Sequence, residues 1–375
     1  MKKIVFITGT RADYGKMKSL IIEMQKNKQY EVSVFVTGMH NLKKFGSTYK
    51  EIYKDEIKNI YKFKNQKLHD NMDRILSKTI NGFSNFTKLK KLDLIIFHGD
   101  RIESLACAIV GCLNNIKTAH IEGGEVSGTV DEILRHSISK LSHTHFVTNN
   151  KAKKRLRQMG EKKNNIFVIG SPDVDIIKSK TLPKIDTVKK KYDINFDDYA
   201  IGIYHPITTD LQNLKTQCKI YIKSILDSKK NFVLIYPNND IGNTIILNEY
   251  LKLKNNRRIR LIPSMRFEYY LTLLKHAKFI IGNSSSGIME APYYGTFTIN
   301  IGNRQNKRAS LKSITNCKFS TSIIKSLINK AFKKKRHKKI EYFGSGDSFK
   351  SFGKILKTNK LWKIDNQKEF QEIKF

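Results

Sequence analysis

Short runs of β-branched and other apolar residues alternate along the chain with longer stretches in which apolar residues return at every third or fourth position. The runs at 4–8, 32–36, 94–98 and 118–121 predict strands buried on both faces, because a run without polar alternation leaves neither face for water. The stretches at 72–89 and 102–113 carry helical spacing instead. Strand, helix, strand is the rhythm of βαβ units and predicts a parallel sheet. A second series of strands follows at 200–204, 232–236, 260–262, 279–281 and 297–301, with room for a helix between each. The pattern predicts an α/β fold of two Rossmann-like domains in series. The turn-forming Gly170-Ser171-Pro172-Asp173 marks where the first ends. The expected division is 1–170, 171–350 and a helical tail at 351–375 that packs back on the first domain.

A length of 375 residues suits two domains rather than one core. Open α/β sheets bind ligands at the carboxyl ends of their strands, so the ligand is expected in a cleft between the two domains. Lys and Arg number 70 against 33 Asp and Glu, a formal charge of +37. The excess is mostly Lys spread over the whole chain, whereas a groove for nucleic acid concentrates its charge, so no nucleic-acid partner is expected. Solubility and attraction of an anionic substrate are the expected effects. The densest run, at 333–339, reads as a solvated basic stretch rather than a patch for an acidic surface. Cys107, Cys112, Cys218 and Cys317 lack CxxC spacing, which predicts free thiols and neither a zinc site nor a disulfide framework. The first residues hold a basic pair and an apolar run too short for a signal peptide. Nothing reaches the roughly 18 apolar residues that span a bilayer. A cytoplasmic enzyme without membrane partners is the expectation.

Candidate chemistry sits at the strand ends. The first strand runs into Thr8-Gly9-Thr10-Arg11-Ala12-Asp13-Tyr14-Gly15. Gly9 permits a tight turn and the following helix offers amides to an anion, with Arg11 beside it; the alternative is a plain strand-to-helix turn. The full GxGxxG spacing is absent, so no dinucleotide cofactor is expected. The strand at 94–97 leads into His98-Gly99-Asp100-Arg101, setting a carboxylate at the end of the sheet unless Asp100 caps the next helix. The next strand ends in His120-Ile121-Glu122-Gly123-Gly124-Glu125, and Asp131 with Glu132 opens the helix carrying Arg135 and His136. Asp100, Glu122 and Asp131 thus come from three neighbouring strand ends or helix starts. That points to acid/base chemistry. Removing a weakly acidic carbon-bound proton needs a positioned carboxylate made more basic by burial, and a second acid helps a leaving group depart.

In the second domain Tyr204-His205-Pro206 follows a strand, so His205 is either aimed at the cleft or structural. The segment from Phe279 to Pro292 places Ser284, Ser285 and Ser286 after a strand. Their hydroxyls and the helix-start amides form a diphosphate cradle, and Glu290, one turn on, is set to accept from ribose hydroxyls. A loop of capping serines is the competing reading.

These residues resemble, in type and order, the hydrolysing UDP-N-acetylglucosamine 2-epimerases, relatives of the non-hydrolysing 2-epimerases within the GT-B architecture of two Rossmann-like domains facing across a cleft. The resemblance covers nearly the whole chain and rests on residues 8–15, 98–101, 121–136, 283–292 and 299–304. It implies that Asp100, Glu122 and Asp131 are the catalytic carboxylates and that His205 acts beside the diphosphate. It further implies nucleotide binding by Arg11, Ser284, Ser285, Ser286 and Glu290, with Tyr270 near the base. The non-hydrolysing relatives carry Arg-Pro-Glu after the first strand and Glu-Ala-Gly-Leu-Arg at the second acid; this chain has Arg11-Ala12-Asp13-Tyr14 and Glu122-Gly123-Gly124-Glu125. It sides with the hydrolysing branch, whose products feed sialic acid or legionaminic acid synthesis. The implied reaction is anti-elimination of the nucleotide through a 2-acetamidoglucal, then addition of water, with no metal or other cofactor. The implied sugar is N-acetylglucosamine or N,N'-diacetylbacillosamine, carried on UDP or GDP. A GT-B glycosyltransferase would share the cradle but has no use for three acids. The implied partners are the nucleotide sugar and further copies of the chain in a homodimer or homotetramer.

Overall fold

A computed structural model describes residues 1–67 and 70–372, so the last three positions of the expected tail lie outside the described residues. The chain divides into two compact units. Unit 1 comprises Met1–Glu125, Asp131–Lys178 and Tyr342–Phe375; unit 2 comprises Val126–Val130 and Ser179–Glu341. The sequence reading divided the chain after 170 and 350, whereas the units divide after Lys178 and Glu341. Hydrogen bonds explain the difference. Ser171 N donates to Phe343 O at 2.7 Å, and Asp175 accepts from the amides of Ser348 at 2.9 Å and Phe349 at 3.0 Å. The turn at Gly170–Asp173 is therefore internal to unit 1, and its Pro172 opens the helix Pro172–Ile177 as proline at a first helical position does.

Unit 1 is built on seven strands: β1 (Lys2–Thr8), β2 (Tyr30–Val36), β3 (Asn59–Lys62), β4 (Leu94–His98), β5 (Lys117–Ile121), β6 (Thr144–Val147) and β7 (Ile166–Val168). They pair in the order β3-β2-β1-β4-β5-β6-β7, every pair parallel. The apolar runs follow from this. Ile4 and Phe6 of β1 pack into one core with Met17 and Leu20 of the helix Arg11–Gln25, while Val5 and Ile7 pack into the opposite core with Phe83, Phe86 and Cys107. A strand covered by helices on both sides must be apolar at every position. The chain leaves β1 in one direction along the sheet and returns on its other side at β4, so the carboxyl ends of β1 and β4 form the switch point where open sheets leave a crevice. Strands β3, β6 and β7 escape a sequence reading: β3 is largely exposed, β7 is three residues long, and β6 buries His145 against Glu161 at 2.9 Å.

Unit 2 has six parallel strands, β8 (Ala200–Ile203), β9 (Phe232–Ile235), β10 (Ile259–Ile262), β11 (Phe279–Gly282), β12 (Phe297–Ile301) and β13 (Ile314–Cys317), in the order β10-β9-β8-β11-β12-β13. Here the switch point falls between β8 and β11. Gly282 at its end has φ +135°, and a Cβ there would stand 1.9 Å from Ile203 O, so only glycine lets the two strand ends approach. Gly128 brings the segment Val126–Val130 into unit 2 in the same way, its amide donating to Arg304 O at 2.9 Å where a Cβ would meet Asn303 O at 2.4 Å.

The basic run at 333–339 is exposed or half-buried along its length, Arg336 included, yet Arg336 is tied to the fold. Arg336 Nη1 donates to Thr296 Oγ1 at 3.0 Å and Tyr294 O at 3.2 Å, and Nη2 to Ala277 O at 2.9 Å. Those acceptors lie beside the strand ends of unit 2, which a charge count cannot show. The four cysteines are free thiols. Among the described residues no helix is long and apolar enough to cross a membrane.

Candidate active site

At the carboxyl end of the unit 1 sheet, register brings the sequence-predicted acids together. Gly99 N donates to Ile121 O at 3.0 Å, and Glu122 N donates to Phe146 O at 3.0 Å, which continues the β4–β5 and β5–β6 pairing one residue past the strands. Glu122 has φ +65°, a left-handed conformation that costs a non-glycine residue on the order of 1–3 kcal/mol and persists only where its surroundings hold it. Its carboxylate has a close polar neighbour at each oxygen. Ser171 Oγ is 2.6 Å from Oε1, and His98 Nε2 is 3.2 Å from Oε2.

Asp100 does not cap the next helix; Arg101 occupies the cap position without a side-chain bond. Asp100 instead accepts from Arg135 Nη2. Arg135 is 1% exposed, and burial alone would lower its pKa. Acids around it, Asp100 first, then Asp131 and Glu125 and last Glu122, outweigh that and raise it above the ordinary arginine value. A single buried cation thus draws the three predicted acids and Glu125 around itself, which is how like charges can be held in one place.

His120 sets the loop that carries Asp100. Burial holds it down to about 3, so the ring is neutral, with Nε2–H donating to Gly99 O at 2.7 Å and Nδ1 accepting from Ser139 Oγ at 2.9 Å.

At the turn after β1, read as either an anion cradle or a plain strand-to-helix turn, the amides meet a side chain of the helix itself. The amides of Gly9 and Thr10 donate to Asp13 Oδ2 at 3.1 Å and Oδ1 at 3.1 Å, and Asp13 N donates to Thr10 Oγ1 at 3.1 Å, a reciprocal capping box. These donors are satisfied within the chain because Asp13, third in the helix, supplies its own anion. Burial pushes the Asp13 carboxyl up, opposed by the Thr8 hydroxyl, the two amides and His98. Arg11 Nη2 pairs with Glu51 Oε1 at 2.7 Å.

In unit 2, His205 and Asn283 lock the ends of β8 and β11 together: His205 N donates to Asn283 Oδ1 at 2.7 Å and Asn283 Nδ2 to His205 O at 2.9 Å. The His205 ring accepts at Nδ1 from Asn238 N at 3.1 Å. Ser284 Oγ accepts from Ser286 N at 3.3 Å, Ser285 stands at the cap of the one-turn helix Ser286–Met289, and Ser286 Oγ bonds the Tyr270 hydroxyl. Glu290 is buried after that turn, close enough to Tyr294 to help burial raise its phenol pKa. Arg304 Nη1 donates to Asn283 O at 3.2 Å. The structure therefore groups Asp100, Glu122 and Asp131 in unit 1, and ties Tyr270 to the serine loop and His205 to Asn283 in unit 2. Sequence reasoning missed Arg135, Ser171, Asp173 and Asn283 as site residues. Arg135 left a trace, four residues after Asp131 and flanked by the buried Leu134 and Ile138 of its helix.

The geometry agrees with the comparisons. The family model described as UDP-N-acetylglucosamine 2-epimerase matches residues 22–357. The chain belongs to the UDP-N-acetylglucosamine 2-epimerase family. A relative of that name from Neisseria meningitidis serogroup B is 43% identical over 100% of both chains. The UDP-N,N'-diacetylbacillosamine 2-epimerase (hydrolyzing) of Legionella pneumophila is 32% identical over 96% of each. Among solved structures, the Neisseria meningitidis UDP-GlcNAc 2-epimerase bound to UDP-GlcNAc aligns with TM-score 0.78 at 19% identity, covering 95% of this chain and 100% of that one. At that identity the likeness speaks to the fold, two Rossmann-like units of the GT-B kind that this 2-epimerase family member shares.

Proposed function

We propose that this chain is a hydrolysing 2-epimerase that converts UDP-N-acetylglucosamine to N-acetylmannosamine and UDP. The observation that carries the reading is the grouping of Asp100, Glu122 and Asp131 around the buried Arg135, in a family named for this substrate. One carboxylate takes the C2 proton while the C1–O bond to the diphosphate breaks, giving the 2-acetamidoglucal. Water then adds at C1 and a proton returns to C2 on the opposite face. The chemistry needs no metal or redox cofactor, because the diphosphate is itself the leaving group and positioned donors stabilise its charge.

In this reading Ser284, Ser285, Ser286 and His205 serve the diphosphate, Glu290 the ribose and Tyr270 the base. Arg11 exchanges Glu51 for an anionic oxygen of the substrate. The enzyme works in the cytoplasm as a homodimer or homotetramer, without nucleic acid or membrane, and its product feeds synthesis of sialic-acid-type sugars.

Incubation with UDP-N-acetylglucosamine in heavy water tests the reading: the free sugar should have the manno configuration and carry deuterium at C2. A product that keeps its original C2 hydrogen refutes elimination. The Legionella relative supports a second substrate, UDP-linked N,N'-diacetylbacillosamine, with its GDP-linked form as a further candidate, and faster turnover of that sugar in a parallel assay would reassign the substrate within the same chemistry. A sugar acceptor that raises turnover would point instead to glycosyl transfer.

A further inference from the structure

We propose that Ser171 bridges Glu122 to Asp173 as a proton-holding relay, with Lys16 as its counter-charge, so that Glu122 carries a proton in the resting protein. The catalytic consequence deepens the 2-epimerase reading and rests on it; the resting proton does not.

One hydroxyl proton faces two carboxyl groups. Ser171 Oγ lies 2.6 Å from Glu122 Oε1 and also bonds Asp173 Oδ1. A hydroxyl has one proton to give and lone pairs to receive others. Two ionised carboxylates cannot both accept from it, so both contacts are satisfied only when one carboxyl is protonated and donates to Ser171 Oγ. Bulk water does not reach the bridge, because Glu122, Ser171 and Asp173 are 2%, 1% and 1% exposed.

Neighbouring charges decide which carboxyl holds the proton. Lys16 Nζ, on the helix Arg11–Gln25, stands 3.2 Å from Asp173 Oδ2, with side chains 10% and 1% exposed. Asp173 and the nearly buried Lys16 thus stand as an ammonium–carboxylate pair. Glu122 faces His98 from β4 at 3.2 Å, and Arg135 is met by Asp100, Asp131 and Glu125 ahead of Glu122; His98 also acts on Asp13. The ordered arrangement is therefore Glu122 carboxyl to Ser171 hydroxyl to Asp173 carboxylate, closed by the Lys16 ammonium.

Such a chain can change the role of Glu122 without exchange with bulk water. As the Glu122 proton passes to Ser171 Oγ, the Ser171 proton passes to Asp173 Oδ1. One O–H bond breaks and one forms at the hydroxyl, Glu122 becomes a base, and the proton waits on Asp173. The reverse shift restores the acid. A reaction that removes a proton in one step and returns one in the next asks for this switch. Ser171 and Asp173 are positioning residues in it, acting through Glu122.

Infrared difference spectroscopy of the full chain without substrate reads the resting proton directly. Near neutral pH, wild type minus Glu122→Gln should contain the carbonyl stretch of a protonated carboxylic acid, and Ser171→Ala should shift or abolish it. A difference spectrum without that band, or a band that Ser171→Ala leaves unmoved, overturns the proposal. In turnover, Ser171→Ala and Asp173→Asn should lower kcat at least about tenfold, with KM within about twofold, and displace one limb of the kcat–pH profile. Ser171→Thr, which keeps the hydroxyl, should recover most of the loss. Wild-type kcat and pH profile in a folded Ser171→Ala variant would overturn the relay. Should wild type turn over no nucleotide sugar, the 2-epimerase reading fails, while the infrared result still decides the bridge.

Discussion

The guanidinium of Arg135, shut away from solvent, donates to the carboxylate of Asp100, which stands 35 residues earlier at the end of the adjoining strand. The same cation acts on Glu122, Glu125 and Asp131, so its removal leaves several acids crowded without compensation. Arg135→Ala should lower the unfolding free energy by about 3 kcal/mol or more, as breaking a buried pair does. Arg135→Lys should recover part of that stability but little turnover, because an ammonium lacks the planar fork that serves several carboxylates. Urea unfolding with parallel rate measurements checks both, and a stable, active Arg135→Ala chain would contradict the role given to the cation.

The acids and the ribose contact should separate chemistry from binding. Asp100→Asn, Glu122→Gln and Asp131→Asn should fold and bind UDP yet lose turnover by about a hundredfold or more. At least one should release 2-acetamidoglucal, since protonating C2 demands a geometry that elimination does not. Glu290→Ala should do the converse, weakening UDP binding by roughly 1.5 to 3 kcal/mol through loss of a charged acceptor. Calorimetric titration with UDP distinguishes the two classes, and unchanged affinity in Glu290→Ala would remove Glu290 from the nucleotide site.

His120 predicts how acid destabilises unit 1. Its pKa falls from the ordinary 6.5 to about 3 on folding because burial disfavours the charged ring. The unfolded chain therefore binds more protons between those values. The stabilisation is complete above 6.5 and is lost as pH falls toward 3, by up to about 1.4 kcal/mol per pH unit. His120→Gln should flatten the slope of unfolding free energy against pH between about 6 and 4. An unaltered slope would mean that the ring is not the titrating group.

Neighbours in the basic run should behave differently. Arg336 holds two backbone carbonyls and the Thr296 hydroxyl, so Arg336→Ala should destabilise by about 1 kcal/mol or more while leaving kcat unchanged. Lys335 is exposed, as Arg336 is, so the contrast rests on those hydrogen bonds, and Lys335→Ala should change stability by less than about 0.5 kcal/mol. Thermal unfolding of the two variants tests the contrast; equal effects would return Arg336 to the solvated run.

Much of the architecture was legible because burial on both faces of a parallel sheet writes itself as unbroken apolar runs. The strand at Leu94–His98 and the helix at Ile102–Leu113 stand where the pattern puts them. Strands β3, β6, β7 and β13 were not legible, since an exposed strand, one of three residues, one holding a histidine paired to Glu161 and one only half-buried lack that signature. The acids Asp100, Glu122 and Asp131 could be read as a group because each follows a strand or opens a helix on one end of the sheet. The turn at Gly9 could be read as an anion cradle or as a plain strand-to-helix turn, and the structure shows its amides bound to Asp13.

By itself the sequence determined the two parallel sheets and which strand ends carry acids, because both follow from local periodicity and from chain order. Only the tertiary structure decided what those acids touch. Arg135 meets Asp100, Ser171 meets Glu122 across 49 residues, and the chain from Tyr342 onward joins unit 1 through Asp175. Such contacts join residues distant in the chain, and no local preference records a partner whose position depends on the register of a whole sheet.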